Sequence, residues 1–472
     1  MNISLPQWSA KISSVAESTI DLPDDVPRAA ALFAMAAPDV PLWHRFNRDD
    51  KAYLLLADRS RVYALNTESA ERIDSLADKI DAAVARKISR DLRLAEDAPA
   101  IGDNPPTEVP IRALSLAVAQ KCNLGCTYCY AQQGDFGAPP RDMSLETALA
   151  AVNVLLRDAK PGERANLAFL GGEPLANRPV IRAASEYARS VARERGVQVT
   201  YSITTNGTLL SPCDAAFFEE FGFAVTISID GVGDVHDRLR PFKGGRGSFQ
   251  AVIARTESLL AIQRSMQVSA RVTVTPRNLH LRETLDYLID LGFHSVGFSP
   301  MLSSPTGQDQ MGRQELAVML EQMVDCGDEF QSRVIEGARY PFLNLVSALR
   351  EIHRGTHRPY PCGAGAGYMG VSADGGLSAC HRFVEDASGA MGNLYEGVDR
   401  IKQNAWLGAR HVHRQEPCRK CWARYLCGGG CHHEVIHRGR PACDFIRGWL
   451  HYCLQSYVHL LVMRPDYFGS AL

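Results

Sequence analysis

At 472 residues the chain has room for two to four domains and an ample core. A net charge of −2, with 46% hydrophobic and 22% charged residues, is an ordinary globular composition without the basic excess of a nucleic-acid binder. No apolar run reaches membrane-span length, and the opening MNISLPQWSAKISS lacks a charged segment followed by an apolar core, so the sequence predicts a cytoplasmic protein with no membrane partner. Thiols stay reduced there, and 13 cysteines, many of them clustered, point to metal binding rather than disulfides.

Residues 1 to about 40 are weakly patterned, with Pro23 and Pro27 interrupting any long helix. Ala52–Ala57 reads as a strand, Asp58–Arg61 as a turn and Val62–Leu65 as a second strand, followed by a helix from Thr67, its cap, to Ile80. Residues 95–110, with Pro99, Pro105, Pro106 and Pro110, read as a linker.

From Ala113 strands and helices alternate. Strands are predicted at 113–119, 165–170, 198–204, 223–229, 267–274 and 295–299, with helices at 144–158, 178–195, 212–221, 248–264, 281–291 and 313–334. Six such units predict an α/β fold built on a parallel, partial (β/α)6 barrel, whose site lies at the C-terminal strand ends. The motifs fall at those ends: Gly171-Gly172-Glu173-Pro174 after the second strand, Thr205-Asn206-Gly207-Thr208 after the third and Ser228-Ile229-Asp230-Gly231 after the fourth. Glycines at 171 and 172 allow a sharp turn and close backbone approach to a ligand. Asp230 and Glu173 have no water-activating partner legible in the sequence, which argues against a paired-carboxylate hydrolase. His236, His280 and His294 read as solvated single histidines.

The loop after the first strand, residues 121–130, carries Cys122, Cys126 and Cys129 in a C-x3-C-x2-C spacing. Three thiolates can hold three irons of a cubane cluster and leave the fourth open to an exogenous ligand, unlike a closed four-cysteine set. A zinc loop or three buried thiols is the alternative reading of that spacing alone.

Farther on, a helix is expected at 343–354 and a hairpin at 370–379 around Asp374-Gly375. Seven cysteines follow the order Cys362-x12-Gly375-x4-Cys380, then Cys418-x2-Cys421-x5-Cys427-x3-Cys431, then Cys443. Paired C-x2-C units also hold structural zinc, and counting ligands alone does not separate zinc from iron–sulfur clusters. The chain thus divides into 1–105, 106–338 and 339–472. Cys213 and Cys326 read as ordinary helix thiols.

The 121–130 loop with Gly171–Pro174 resembles the radical S-adenosylmethionine (radical SAM) enzymes, and the seven-cysteine set resembles their C-terminal SPASM extension; the two likenesses cover about 110 to the end. That resemblance implies S-adenosylmethionine and three [4Fe-4S] clusters: a catalytic one on Cys122, Cys126 and Cys129, an auxiliary one on Cys418, Cys421, Cys427 and Cys443, and another on Cys362, Cys380 and Cys431. It implies that Tyr128 packs near the adenine, that Gly171, Gly172 and Glu173 receive the cofactor amine, and that Asn206, Ser228 and Arg271 contact its ribose or carboxylate. Some relatives carry an eighth cysteine just before the first. Here that region reads His353-Arg-Gly-Thr-His357, so the third cluster keeps an open iron or recruits His357, Cys453, Cys326 or Cys213.

The resemblance further implies one-electron cleavage of the sulfonium and hydrogen abstraction from a peptide C–H. Capture of that carbon by a substrate thiolate at the open iron would then give a thioether. Pro361–Gly365, Cys380–Val384 and Cys418–His432 are most similar to thioether-forming maturases. One such group modifies cysteine-rich ribosomal peptides. The other joins cysteines to Asp or Glu methylenes in the small subunit of quinohemoprotein amine dehydrogenase, and the preference for Arg over Lys favours it on composition. Flavodoxin or ferredoxin is the implied electron donor. An N-terminal hairpin domain of this kind resembles leader-recognition domains, which take a peptide as an added strand. Alternatives are a sulfatase maturase making formylglycine, an enzyme forming a carbon–carbon bond for coenzyme biosynthesis, and a non-catalytic zinc scaffold.

Overall fold

The computed structural model describes residues 27–35, 42–75 and 101–470. The expectations for residues 1–26, for the end of the helix at 76–80 and for the start of the linker at 95–100 lie outside the described residues.

A three-stranded antiparallel sheet comes first: β1 (Trp43–Arg48), β2 (Lys51–Leu56) and β3 (Arg61–Leu65), in that order. The polar β1, WHRFNR, has no strand-like signature by itself, and the sequence reading missed it. It forms because Asp49 and Asp50, both at positive φ, make a two-residue turn that folds it onto the apolar β2. The following helix is Thr67–Asp74, and its cap is Asn66 rather than Thr67: the Asn66 side chain accepts from Ser69 N at 2.8 Å. Within the weakly patterned segment, Pro27 is the first residue of a described helix, Pro27–Met35.

The main sheet holds six parallel strands, β4 (Ala113–Gln120), β6 (Arg164–Gly171), β7 (Gln198–Thr205), β8 (Ala224–Ser228), β9 (Gln267–Val274) and β10 (Ser295–Pro300), each paired with the next. The short β5 (Arg141–Asp142) caps the end of β4. Leu114, Leu116, Ala117, Val118 and Ala119 are all fully buried, so β4 is covered on both faces and reads as a continuous apolar run. Every predicted barrel strand and crossover helix is present within a few residues. The barrel is open: among the described residues β10 does not pair with β4.

The free edge of β4 takes a strand from the C-terminal third. β11 (Tyr368–Val371) pairs with Ala113–Leu116 in parallel, and β12 (Gly376–Ser378), β13 (Ala390–Asn393) and β14 (Gly397–Val398) continue the sheet antiparallel. The barrel and the cysteine-rich region therefore share one sheet. A 21-residue helix, Cys443–Met463, which the sequence reading did not resolve, packs on the barrel helix Arg313–Ile335 and on Pro27–Met35. The N-terminal sheet docks on that same helix: His44 Nε2 lies 2.8 Å from His451 Nδ1, and the His44 ring stacks on Trp422 at 3.9 Å. No helix of the described residues is long and apolar enough to cross a membrane.

Candidate active site

The cysteine loop 121–130 leaves the C-terminal end of β4 and is pinned from two sides. On one side Gly172 N donates to Ala119 O at 2.8 Å and Glu173 N to Lys121 O at 2.9 Å. On the other, Gly125 N donates to Pro241 O at 2.8 Å and Thr127 N to Leu239 O at 3.2 Å. The two motif glycines serve this contact. A Cβ at Gly171 would lie 2.2 Å from Ala119 O, and one at Gly172 would lie 2.4 Å from Lys121 O. The absence of a Cβ at both positions thus serves the packing of this loop.

Glu173 is fully buried. Its Oε1 accepts from Leu175 N at 3.0 Å and Thr205 Oγ1 at 2.7 Å, and its Oε2 accepts from Asn206 N at 2.8 Å, leaving one lone pair of Oε2 for a further donor. Burial pushes its carboxyl up, against these three donors that favour the ionised form. Asn206 Nδ2 reaches Asn123 Oδ1 at 3.0 Å and Cys122 Sγ at 3.6 Å, so it braces the loop.

Tyr128 lies beneath the loop, 5% exposed, packed against Leu239 and Met301. Its hydroxyl donates to Asp230 Oδ2, and Arg240 Nη1 donates to Tyr128 Oη at 2.6 Å. Asp230 Oδ1 accepts from Thr273 N at 2.8 Å, and Asp230 N donates to His236 Nδ1 at 3.2 Å. His236 is fully buried and bonds Ser248 Oγ at 3.0 Å through Nε2, which corrects the expectation of a solvated histidine; burial lowers it to about 3. His280 is exposed and His294 half-buried. Asp230, His236 and Arg240 lie within ten residues of one another, but the network they form with Tyr128, more than a hundred positions away, was not legible in the sequence.

Ser228, the last residue of β8, is the register partner of Arg271 in the middle of β9. Arg271 is solvent-accessible yet enclosed by protein, with Arg382, Glu434, Tyr130 and Cys431 as its electrostatic neighbours. A cavity bounded by Tyr130, Gln132, Ser303, Ser304 and Arg382 lies between the cysteine loop and the cysteine-rich region. Tyr130 and Arg382, each adjacent to a motif cysteine segment, were not singled out from sequence. Arg382 Nη1 donates to Glu434 Oε1 at 2.8 Å and to Cys431 Sγ at 3.7 Å.

All 13 cysteines are free thiols, and ten of them fall into three neighbourhoods. Cys126 has Cys122 and Cys129 beside it. Cys380 has Cys431 and Cys362. Cys418 has Cys443 and Cys421 beside it, and Cys427 has Cys421 and Cys418. Cys418, Cys421, Cys427, Cys431 and Cys443 line one cavity of about 60 Å³. Cys431 thus stands at the wall of one neighbourhood while its electrostatic partners belong to another. Burial pushes Cys126 and Cys380 up to about 12, so without a cation these thiols are inert.

A single tetrahedral zinc, with Zn–S near 2.3 Å, holds its sulfurs about 3.8 Å apart. Among the described residues no three cysteine sulfurs lie within 4.8 Å of one another. None of the three spare thiols reaches the Cys362–Cys380–Cys431 neighbourhood. Cys453 is buried with no charged neighbour, Cys326 sits among Arg282, Asp286 and Asp325, and Cys213 is exposed on the helix Pro212–Phe221. His357 Nδ1 lies 3.0 Å from Gly355 O.

Residues 116–288 match the Radical SAM superfamily. The chain is 26% identical over 344 residues to the serine-type anaerobic sulfatase-maturating enzyme of Klebsiella aerogenes, covering 69% of this chain and 81% of that protein. It is 20% identical over 358 residues to the radical SAM cyclopropyl synthase TigE of Paramaledivibacter caminithermalis, covering 71% and 72%. The structure of native anSMEcpe with bound AdoMet superposes with a TM-score of 0.62 at 20% identity, over 75% of this chain and 99% of that one, which establishes the shared fold. The pinned three-cysteine loop lies within the residues that match the Radical SAM superfamily, and the enzyme is similar to the anaerobic sulfatase-maturating enzymes over about two thirds of its length.

Proposed function

We propose that the chain is a peptide maturase that forms thioether crosslinks, with the small subunit of quinohemoprotein amine dehydrogenase as its substrate. The observation that carries this reading is the three-cysteine neighbourhood of Cys362, Cys380 and Cys431, which no fourth cysteine joins. A cluster held by three protein thiolates keeps a position for a substrate thiolate, the sulfur a thioether needs.

In this reading Cys122, Cys126 and Cys129 hold the catalytic cluster with S-adenosylmethionine on it, and Cys418, Cys421, Cys427 and Cys443 hold a second, closed cluster. The bound cofactor supplies one-electron reductive cleavage and hydrogen-atom abstraction. The chain's own residues orient and exclude water. Glu173 Oε2 keeps a lone pair for an ammonium, Gly171 and Gly172 fix the loop, and Ser228 and Arg271, paired across β8 and β9, offer a hydroxyl and a cation to a carboxylate or ribose. Asn206 and Tyr128 hold the loop in place from below. The free edge of β3 suits a leader segment added as a strand. Flavodoxin or ferredoxin supplies the electron.

Mass spectrometry of the co-expressed small subunit, before and after thiol alkylation, tests this. Loss of two hydrogens per crosslink, with the affected cysteines refusing alkylation, is expected. Unchanged mass and freely alkylated cysteines, from protein verified to cleave the cofactor, would overturn the assignment. The likeness to a sulfatase-maturating enzyme supports a second reading, formylglycine formation, which the same spectra separate by site and mass.

A further inference from the structure

One group of metal-ligating side chains lies outside the cysteine sites. His433 and His437 are four residues apart on the helix His432–Arg438, so both rings leave the same face. Asp386, from the loop before Ala387–Gly389, reaches that face, and its Oδ2 lies 2.9 Å from His437 Nε2. One ligand atom from each of the three residues falls within 4.8 Å of the other two.

The carboxylate is held for this arrangement. Asp386 Oδ1 accepts from Ser388 N at 2.9 Å and Ser388 Oγ at 2.7 Å, which leaves Oδ2 directed at the histidines. The two imidazole rings lie 4.4 Å apart, and Phe383 packs edgewise on His433 at 5.0 Å. His433 Nδ1 is buried and has no hydrogen-bond partner. An orphaned buried polar atom is unfavourable; the Asp386–His437 contact does not relieve it, and a metal ion would.

We propose that Asp386, His433 and His437 form a mononuclear site for a divalent cation of the zinc type. Two imidazoles and one carboxylate fill three positions and leave the next for a water or a substrate atom, the pattern of catalytic rather than structural zinc. All three ligands line the cavity bounded by Tyr130, Ser303 and Arg382, so the open position faces the space between the cluster loop and the cysteine-rich region. On the peptide-maturase reading, a thiolate or carboxylate of the substrate enters there and is held beside Cys431, whose neighbour Arg382 shares the same wall.

The test uses the full chain, reconstituted anaerobically with iron and sulfide and then given Zn²⁺ alone. One zinc per chain should survive desalting, and zinc-edge X-ray absorption should show imidazole and oxygen ligands without sulfur. His433→Ala and His437→Ala should each weaken zinc binding by about tenfold or more at unchanged iron content. Asp386→Asn gives the same readout should a histidine variant fail to fold. Sulfur-ligated zinc, no retained zinc, or zinc retained equally by the variants overturns the proposal. None of these outcomes touches the thioether reading, which the mass of the subunit tests by itself.

Discussion

Gly172 stands so close to Lys121 that a Cβ added to it would lie 2.4 Å from the Lys121 carbonyl oxygen and 2.7 Å from Gly134 Cα. Both obstacles are backbone, so neither rotates away. Gly172→Ala should therefore cost about 1–3 kcal/mol and displace the cluster loop. The expected result is loss of the iron held at Cys122, Cys126 and Cys129, with the iron of the C-terminal cysteines retained. Iron and sulfide analysis beside a Cys126→Ala control measures it. Full iron content in Gly172→Ala would show that the loop tolerates the shift.

Cysteine variants separate the two halves of the proposed chemistry. Cys126→Ala should abolish cofactor cleavage. Cys431→Ala should leave cleavage but lose the crosslinked product, because Cys431 belongs with Cys362 and Cys380 and not with the loop. Chromatographic assay of the cleaved cofactor and mass spectrometry of the subunit read the two steps separately. Crosslinking by Cys126→Ala would sink the mechanism.

The barrel was legible because its strands are short apolar runs bounded by turns and its helices are amphipathic, signals that live within a dozen residues. The seven-cysteine spacing was legible for the same local reason. Pairing of Tyr368 with Ala113 was not, since nothing in either segment names its partner across some 250 positions. The strand Trp43–Arg48 was hidden by its polar composition, and His236 by polar neighbours in sequence that gave no sign of its burial. The Asp386–His433–His437 group shows only half its signature in sequence, the i,i+4 histidines; the carboxylate arrives through the fold.

His44 and His451 join the N-terminal sheet to the helix Cys443–Met463 through a neutral hydrogen bond. Burial lowers His44 to about 2, with His451 adding to the effect, and lowers His451 to about 4. Both values lie below the unfolded value near 6.5, so their contribution is complete above pH 6.5 and is lost as pH falls toward 4. Each proton taken up costs up to about 1.4 kcal/mol per pH unit. Hydrogen exchange of residues 43–56, corrected for intrinsic rate, should lose protection by about tenfold or more per pH unit across this window. His44→Gln should flatten that dependence. Constant protection from pH 6.5 to 5 would remove the pair from the docking.

Arg382 Nη1 contacts Cys431 Sγ at 3.7 Å while its ion pair with Glu434 holds it in place. Its guanidinium also sits 5.5 Å from the Tyr130 ring, at the wall shared by the cluster loop and the cysteine-rich region. A cation hydrogen-bonded to a cluster thiolate stabilises the more negative, reduced state, so removing it should make the potential more negative. Taking about 1.4 kcal/mol for one charged hydrogen bond, Arg382→Gln should shift a one-electron couple by about 60 mV. Iron content and cofactor cleavage should stay unchanged, because the catalytic loop does not depend on Arg382. Crosslinking should slow, since a cluster of lower potential accepts the product radical's electron less readily. An EPR-monitored redox titration reads the shift directly. A signal with the parental potential, at full iron content, would mean that the cysteine neighbourhood of Cys431 holds no redox-active group.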